Sequence, residues 1–388
     1  MTKIFRGNPL ESKLPQVGTT IFTIMSRLAE QHGAINLSQG FPDFQPPARL
    51  IDLVGRHLAA GRHQYAPMTG VAALREALAG KLLRVYGVQA DPETEITVTP
   101  GATEALFAAI HAVVRPGDEV VVFDPAYDSY EPAVTLAGGV TVHVPLAGSA
   151  FRIDWDRLAA ALNGRTRLVI INSPHNPTGA LLERPDLDRL AELLRPYGCY
   201  VLSDEVYEHI VFDGARHASV LAHSELAERS FAVFSFGKTY HATGWKTGYC
   251  VAPASLSAEF RKVHQYVSFA AVTPLQYALA DYLEESPEHY LGLPDFYAEK
   301  RDLFVRLLGE TRFTFTPSRG TYFQLVDYSA ISDLPDTEFA RWLTIEHGVA
   351  VIPISVFYAT PVQARLVRFC FAKESATLER AAERLAQV

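Results

Sequence analysis

Between residues 95 and 252, short apolar runs rich in β-branched and aromatic residues alternate with longer segments whose apolar positions recur every three or four residues. The short runs predict strands, and the longer segments predict helices. The strand candidates are EITVTP, DEVVVFDP, TVHVPL, TRLVIINSP, CYVLSDEV, SFAVFSF and GYCVAP, and the clearest helix candidates are ATEALFAAIHAVV and ERPDLDRLAELLRPYG. Runs that are apolar throughout, such as RLVIIN, are typical of strands buried on both faces. The pattern therefore predicts an α/β fold, a three-layer sandwich with a mostly parallel central sheet.

The pattern changes in the last third of the chain. A helix in YAEKRDLFVRLLG is followed by strands in GTYFQLVDY and LVRFCFA and by a helix in ATLERAAERLA. A chain of 388 residues also exceeds one typical core of ~100 to 150 residues. We therefore expect a large domain at 49–294 and a smaller α+β domain at 295–388, which the N-terminal segment 1–48 joins.

Composition narrows the class of protein. Apolar residues make up 48% of the chain and charged residues 20%, which is ordinary globular usage. The formal net charge is -8, and there is no long run of Lys or Arg to neutralise a phosphate backbone. These features argue against a nucleic acid partner.

The cysteines and the apolar stretches indicate a cellular compartment. Cys199, Cys250 and Cys370 lie far apart without CxxC spacing, which argues against a disulfide framework and a metal site. No apolar stretch approaches the ~20 residues of a membrane-spanning helix, and the start MTKIFRGNPLESKLP lacks a signal-peptide core. We expect buried free thiols, a cytoplasmic protein and no membrane partner.

Polar residues follow four of the predicted strands: GAT at 101–103, SPHNPTG at 173–179, SDEVY at 203–207 and SFGK at 235–238. In parallel sheets, ligands bind at the carboxyl ends of the strands, in the loops that leave them. The sequence therefore predicts a site assembled from four separate loops.

Three of these loops carry residues that suit an anion or a cation. Ala102 and Thr103 open a helix, where unpaired N–H groups attract an anion such as phosphate, although a plain tight turn would look the same. Lys246, with Ser235, could add charge and a hydroxyl to that phosphate site. Asp204 follows an apolar run, where a carboxylate needs a cation such as a protonated ring nitrogen, although a helix cap or a salt bridge would also satisfy it.

For three further side chains, the sequence allows either a structural role or a role in ligand binding. Asn176 sits in HNPTG, where proline and glycine favour a turn, so the asparagine serves either the turn or a ligand. Tyr127, in FDPAYDSY, either stacks on a flat ring or packs in the core. Tyr207 lies three residues after Asp204 and would share its side if a helical turn begins there, although packing alone would also explain it.

Lys238 ends the apolar run SFAVFSF. A lysine shielded from water has a lowered pKa and becomes a nucleophilic amine suited to a Schiff base, whereas a solvated surface lysine does not. Taken together, the four loops call for a ligand with a phosphate, a protonated ring nitrogen, a ring oxygen and an aldehyde. Pyridoxal 5'-phosphate has all four.

At these residues the chain resembles the fold type I pyridoxal phosphate aminotransferases of class I and II. The resemblance runs from NLSQGFPDFQPP to RFCFAK, and it is carried by S-x-x-K with its G-x-K-x-G continuation, HNPTG and SDEVY. The segments SKLPQVGTTIF, HQYAPMTGVAALREAL, SFGKTYHATGWKTGYCVAP and LPDFYAEKRD resemble those of bacterial methionine aminotransferases.

The resemblance implies a role for each matching residue. Lys238 is the catalytic lysine that carries the cofactor, Asp204 the partner of the ring nitrogen, and Asn176 with Tyr207 the pair that binds the ring oxygen. The phosphate ligands it implies are Ala102, Thr103, Ser235, Lys246 and, from a neighbouring subunit, Tyr65. Tyr127 stacks on the ring, and the substrate carboxylate meets Arg368, Gly40 and Asn176. Many relatives have arginine at position 246, and lysine lacks the rigid fork of arginine.

The resemblance also implies transamination between amino acids and 2-oxo acids in a homodimer with shared active sites. The run QYVSFAAVTPLQYALA contains no Lys or Arg to bind an acidic side chain, which favours a donor with an uncharged side chain. Together with the resemblance of the four segments to methionine aminotransferases, this makes methionine the expected donor, with aromatic amino acids or glutamine as further candidates. The alternatives are a kynurenine or glutamine aminotransferase and a cysteine-conjugate β-lyase. A non-enzymatic regulator on this fold would need a DNA-binding module, for which only about 40 residues precede the large domain.

Overall fold

The computed structural model describes residues 10–388, and within them the chain folds into alternating helices and strands. The strands are β1 (Ile35–Asn36), β2 (Ile96–Thr99), β3 (Glu119–Asp124), β4 (Val140–Pro145), β5 (Thr166–Asn172), β6 (Tyr200–Asp204), β7 (Ser230–Ser235), β8 (Gly248–Val251), β9 (Phe323–Asp327), β10 (Val349–Ala350), β11 (Ile352–Pro353) and β12 (Leu366–Cys370). The helices are α1 (Ile21–His32), α2 (Ala48–Ala59), α3 (Ala72–Tyr86), α4 (Ala102–Val113), α5 (Tyr130–Leu136), α6 (Trp155–Ala161), α7 (Arg184–Leu194), α8 (Ser224–Ala227), α9 (Phe236–Thr239), α10 (Ala254–Val267), α11 (Thr273–Glu285), α12 (Pro287–Leu291), α13 (Leu293–Leu308), α14 (Asp336–Glu346) and α15 (Ser375–Leu385).

The large sheet has seven strands in the order β2-β8-β7-β6-β5-β3-β4. Strand β8 runs antiparallel to both of its neighbours, and the pairs from β7 to β4 are parallel. The prediction of a mostly parallel central sheet is therefore confirmed. Because β8 is antiparallel to both β2 and β7, strand β2 points the same way as the parallel strands.

Both faces of this sheet are buried. Along β3, Val121 packs into one apolar cluster with α3, α7 and α11, whereas its neighbours Val120 and Val122 pack into another cluster with α4, α5 and α10. Successive strand residues point to opposite faces, so each face needs its own helical layer. The three-layer α/β sandwich is confirmed.

A second, smaller sheet is antiparallel, in the order β11-β12-β9. Beside it, β1 pairs in parallel with β10, joining Ile35 to Val349, and α1 packs against α14. Residues from the start and the end of the chain thus share one structural unit. Helix α13 begins at Leu293 and leads into this unit.

The carboxyl ends of β2, β5, β6 and β7 meet at one edge of the large sheet, since these strands run in the same direction. Each is followed by one of the four polar loops. Across from that edge stands β12 of the small sheet, with Arg368 paired in register with Leu325 of β9. Within residues 10–388, no helix is both long enough and apolar enough to cross a membrane.

Candidate active site

A cleft of about 230 Å³ opens at this edge of the large sheet. Its walls come from all four polar loops, from β12 and from the segment after β1. Eleven of the twelve side chains or backbone positions singled out from the sequence line it: Gly40, Ala102, Thr103, Tyr127, Asn176, Asp204, Tyr207, Ser235, Lys238, Lys246 and Arg368. The twelfth, Tyr65, lies elsewhere.

Lys238 occupies the short helix α9, directly after β7. Its Nζ donates a hydrogen bond of 2.8 Å to the Tyr322 hydroxyl and one of 3.1 Å to the Gly40 carbonyl. Burial lowers the pKa of Lys238 to about 8, because a charged amine is poorly solvated there. The lysine is therefore a cleft residue whose amine is more easily neutralised than that of a solvated lysine.

Asp204 ends β6 and is only 4% exposed. Its Oδ2 accepts a hydrogen bond of 2.6 Å from the Tyr130 hydroxyl, and burial raises the pKa of the carboxyl to about 6. A cation placed against this carboxylate would offset the cost of burying its charge. The site thus suits a protonated ring nitrogen.

Arg368 reaches the cleft from β12, with 1% of its surface exposed. Its Nη1 donates 2.7 Å to Asn176 Oδ1, its Nη2 donates 2.9 Å to the Ser38 carbonyl, and the guanidinium lies 3.8 Å from the Phe323 ring centroid. Among the described residues, none accepts a hydrogen bond from its buried Nε. A buried guanidinium with a spare donor suits a carboxylate ligand.

The opposite end of the cleft is the start of α4. Gly101 caps this helix without a side-chain hydrogen bond, so its first N–H groups face the cleft. A Cβ built on Gly101 would lie 3.3 Å from Lys246 Nζ, which places that amine beside the helix start. Gly248 packs directly against the start of α4, because a Cβ on it would come within 2.9 Å of the Ala102 backbone nitrogen.

Aromatic rings bound the middle of the cleft. Tyr127 meets Tyr130 edge-on at 5.6 Å between centroids, and burial raises its pKa to about 12. Tyr207 is 3% exposed, and its ring centroid lies 5.4 Å from Lys238 Nζ. Both phenols stay protonated near neutral pH and can donate hydrogen bonds.

Tyr65 is 86% exposed, and its ring meets Phe269 edge-on at 5.4 Å. It does not line the cleft of its own chain. The structure thus leaves it available on the surface, away from the other residues singled out from the sequence.

Three residues that bond to side chains or backbone groups of the cleft were not predicted from the sequence: Tyr130, Asn172 and Tyr322. Tyr130 stands three positions after Tyr127 in the same FDPAYDSY segment, and this closeness to a predicted site residue could have identified it. Asn172 links the Asn176 backbone N–H to the Asp204 carbonyl through hydrogen bonds of 2.8 Å each. Tyr322 is 84 residues away from Lys238 along the chain, and no local pattern relates the two.

These residues fit pyridoxal 5'-phosphate. The uncapped helix start and Lys246 can hold a phosphate, Asp204 can meet a pyridinium nitrogen, and the Lys238 amine can react with an aldehyde. The fold and the cleft therefore define a pyridoxal phosphate-dependent enzyme of fold type I.

Residues 32–385 match the family described as aminotransferase class I and II. The chain belongs to this family, and it is a pyridoxal phosphate-dependent aminotransferase. The resemblance drawn from its motifs is confirmed.

Relatives cover nearly the whole chain. It is 60% identical to a methionine aminotransferase of Escherichia coli, over 98% of this chain and 100% of that protein. A crystal structure of an Escherichia coli protein described as having a methionine aminotransferase function superposes with a TM-score of 0.97 at 59% identity, over 98% of this chain and 100% of that one. A kynurenine–oxoglutarate transaminase of Dictyostelium discoideum is 34% identical over 99% of this chain and 97% of that protein.

Proposed function

We propose that this aminotransferase takes methionine as its preferred amino donor and passes the amino group to a 2-oxo acid. The observation that carries the proposal is the 60% identity to the Escherichia coli methionine aminotransferase over nearly the full length of both chains. The cleft supports it, because its lining cations are Lys238, Lys246 and Arg368, each of which has another role. No further cation among the described lining residues is then left to bind an acidic side chain.

In this proposal the chain binds the cofactor at three of its groups: the phosphate, the ring nitrogen and the ring oxygen. The α4 start with Ser235 and Lys246 holds the phosphate, Asp204 faces the ring nitrogen, and Asn176 with Tyr207 binds the ring oxygen. Tyr127 lies against the ring. When bound, pyridoxal phosphate supplies an aldehyde for the amino group and a ring that accepts electrons.

Arg368 orients the substrate. Its guanidinium binds the α-carboxylate, and the Gly40 backbone borders the same position. The carboxylate fixes the α-carbon near Lys238, whose Nζ lies 3.1 Å from the Gly40 carbonyl. Lys238 Nζ, once free and neutral, removes the α-proton and later returns a proton. The lowered pKa of Lys238 favours that neutral form.

A comparison of two amino donors tests the proposal. In single-turnover absorbance scans, methionine should convert the bound cofactor to its pyridoxamine form faster than aspartate does. Faster conversion by aspartate would contradict a donor site for uncharged side chains. A panel of 2-oxo acids, followed in the reverse half-reaction, then identifies the acceptor.

Aromatic amino acids are the second candidate donors, with glutamine beside them. The cleft wall near Arg368 contains the rings of Phe22 and Phe323, which can pack on a flat side chain. The kynurenine transaminase relative is consistent with this choice. The same donor panel ranks phenylalanine, kynurenine and glutamine against methionine.

We propose a homodimer in which Tyr65 completes the phosphate site of the neighbouring subunit. Tyr65 and Tyr266 are each 86% exposed, and the nearby Phe269 is 42% exposed, so an apolar surface is open to a partner. Tyr65→Ala should weaken cofactor binding, and the protein should sediment as a dimer. A monomer that retains full activity at high dilution would contradict the proposal.

We propose the cytoplasm as the site of action. Cys199, Cys250 and Cys370 are buried free thiols, which suits a reducing compartment. Fractionation of cells that carry the native gene, with an antibody against the protein, tests this location.

A further inference from the structure

Tyr322 stands between Lys238 and the backbone of Gly40. Its hydroxyl oxygen accepts the hydrogen bond of 2.8 Å from Lys238 Nζ and donates one of 2.5 Å to the Gly40 carbonyl. Because the hydroxyl proton goes to Gly40, a lone pair of the oxygen faces the lysine. Tyr322 directly precedes β9, so it reaches Lys238 from the small sheet.

The ring of Tyr322 is held independently of Lys238. It is completely buried and packs edge-on against Tyr207 at 5.1 Å and against Phe323 at 4.9 Å. Tyr297 lies 5.7 Å away on another side. Packing therefore fixes where the hydroxyl points, and a flexible lysine side chain that meets it loses part of its freedom.

We propose that Tyr322 is a positioning residue for Lys238: its hydroxyl receives the lysine amine whenever that amine is free, and holds it beside Gly40 for proton transfer. The inference rests on the proposed function, in which Lys238 carries the cofactor and moves the α-proton. It adds a group from the small sheet to the proton-transfer step.

The groups around Lys238 determine how removal of the Tyr322 hydroxyl should change the pKa of Lys238. The positive charges of Arg368 and Lys246 disfavour protonation of the Lys238 amine, whereas the negative charge of Asp204 favours it. The Tyr207 and Tyr322 rings are neutral neighbours of the same amine. A hydroxyl that accepts from the amine favours the charged form, since an ammonium is the stronger donor. Removal of the Tyr322 hydroxyl should therefore lower the pKa of Lys238.

The test compares Tyr322→Phe with the wild-type holoenzyme. Each protein is converted to its pyridoxamine phosphate form, in which Lys238 is free, and labelled with acetic anhydride across a pH series. Mass spectrometry of the Lys238 peptide then gives the pKa of that amine. We expect a decrease of about one pH unit, from the loss of one hydrogen bond to a charged group.

Kinetics supply a second measurement. The Tyr322→Phe enzyme should lose about tenfold in kcat with little change in KM, because the amine is held less well in the proton-transfer step. The primary isotope effect with α-deuterated methionine should increase. A purely structural role would not raise that isotope effect.

Tyr297→Phe is the matched control, because it removes a buried hydroxyl of the same aromatic cluster that bonds to His241 rather than to Lys238. An unchanged Lys238 pKa and isotope effect in Tyr322→Phe would overturn the inference, as would equal changes in Tyr297→Phe. A wild-type enzyme without a covalent link between Lys238 and the cofactor would instead overturn the proposed function.

Discussion

Arg368 and Asn176 are joined by a hydrogen bond of 2.7 Å, although 192 residues separate them along the chain. Arg368 comes from the small sheet, and Asn176 follows β5 of the large one. The proposed carboxylate ligand and the proposed ring-oxygen ligand are thus in direct contact. A substitution of either side chain should therefore disturb both the carboxylate contact and the ring-oxygen contact.

Arg368→Lys should raise the KM for the amino donor by about 10- to 100-fold, from the loss of a bidentate charged contact. The decrease in kcat should be smaller, because Lys238 stays in place. Steady-state kinetics with methionine measure both. Arg365→Lys, an exposed position paired with Asp333, is the matched control and should leave KM unchanged. Equal KM values for wild type and Arg368→Lys would remove Arg368 from the carboxylate site.

Lys238→Ala should reduce turnover by at least ~10⁴-fold, because it removes both the covalent anchor and the group that moves the proton. The cofactor should still bind through its phosphate and ring contacts, and its absorbance should be that of the free aldehyde. Lys262→Ala, an exposed lysine paired with Glu259, is the control. Near-normal steady-state activity in Lys238→Ala would contradict the assignment.

The pH dependence of cofactor binding should follow Asp204. Burial raises its pKa to about 6, so the cofactor-free carboxyl takes up a proton as the pH falls through that value and loses its attraction for a pyridinium. Cofactor affinity, measured by equilibrium titration, should fall across the same range. Asp204→Asn should abolish that part of the pH profile. A profile unchanged in Asp204→Asn would contradict this role.

The same shift has a defined sign for folding. Because the pKa is raised above its ordinary value of 3.8, the contribution of Asp204 to the stability of the cofactor-free fold is complete below pH 3.8. It is lost as the pH rises through about 6. Tyr130→Phe removes a hydrogen bond that lowers this pKa, so the upper limit should move to higher pH. Denaturant titrations at a series of pH values measure the shift.

Lys81 and Glu208 form a buried salt bridge behind the cleft, with side chains 3% and 2% exposed. Lys81→Met should lower the free energy of unfolding by about 3 to 5 kcal/mol, because it leaves the Glu208 charge buried without its cation. Arg184→Met breaks an exposed pair with Asp188 and should cost at most about 1 kcal/mol. Denaturant unfolding compares the two, and equal losses would contradict the argument.

The sequence predicted the central sheet and most of the cleft because both rest on short-range patterns. Alternation of strands and helices implied the sandwich, and polar residues at strand ends implied the loops around Asp204 and Lys238. Arg368 needed the family resemblance, since a strand arginine has no local sign of burial. Tyr322 could not be predicted, because its contact with Lys238 exists only after the small sheet packs on the large one.

Gly248 leaves no space for a side chain at the phosphate end of the cleft, where an added Cβ would meet Phe234, Gly101 and Ala102. Position 248 therefore requires glycine, whatever amino donor the enzyme uses. Phe22, which is partly buried and whose ring centroid lies 5.4 Å from the Arg368 guanidinium, is not one of the groups that hold the cofactor. Engineering of a new donor preference should begin at Phe22, where a mutation can reshape the donor site without changing the cofactor contacts.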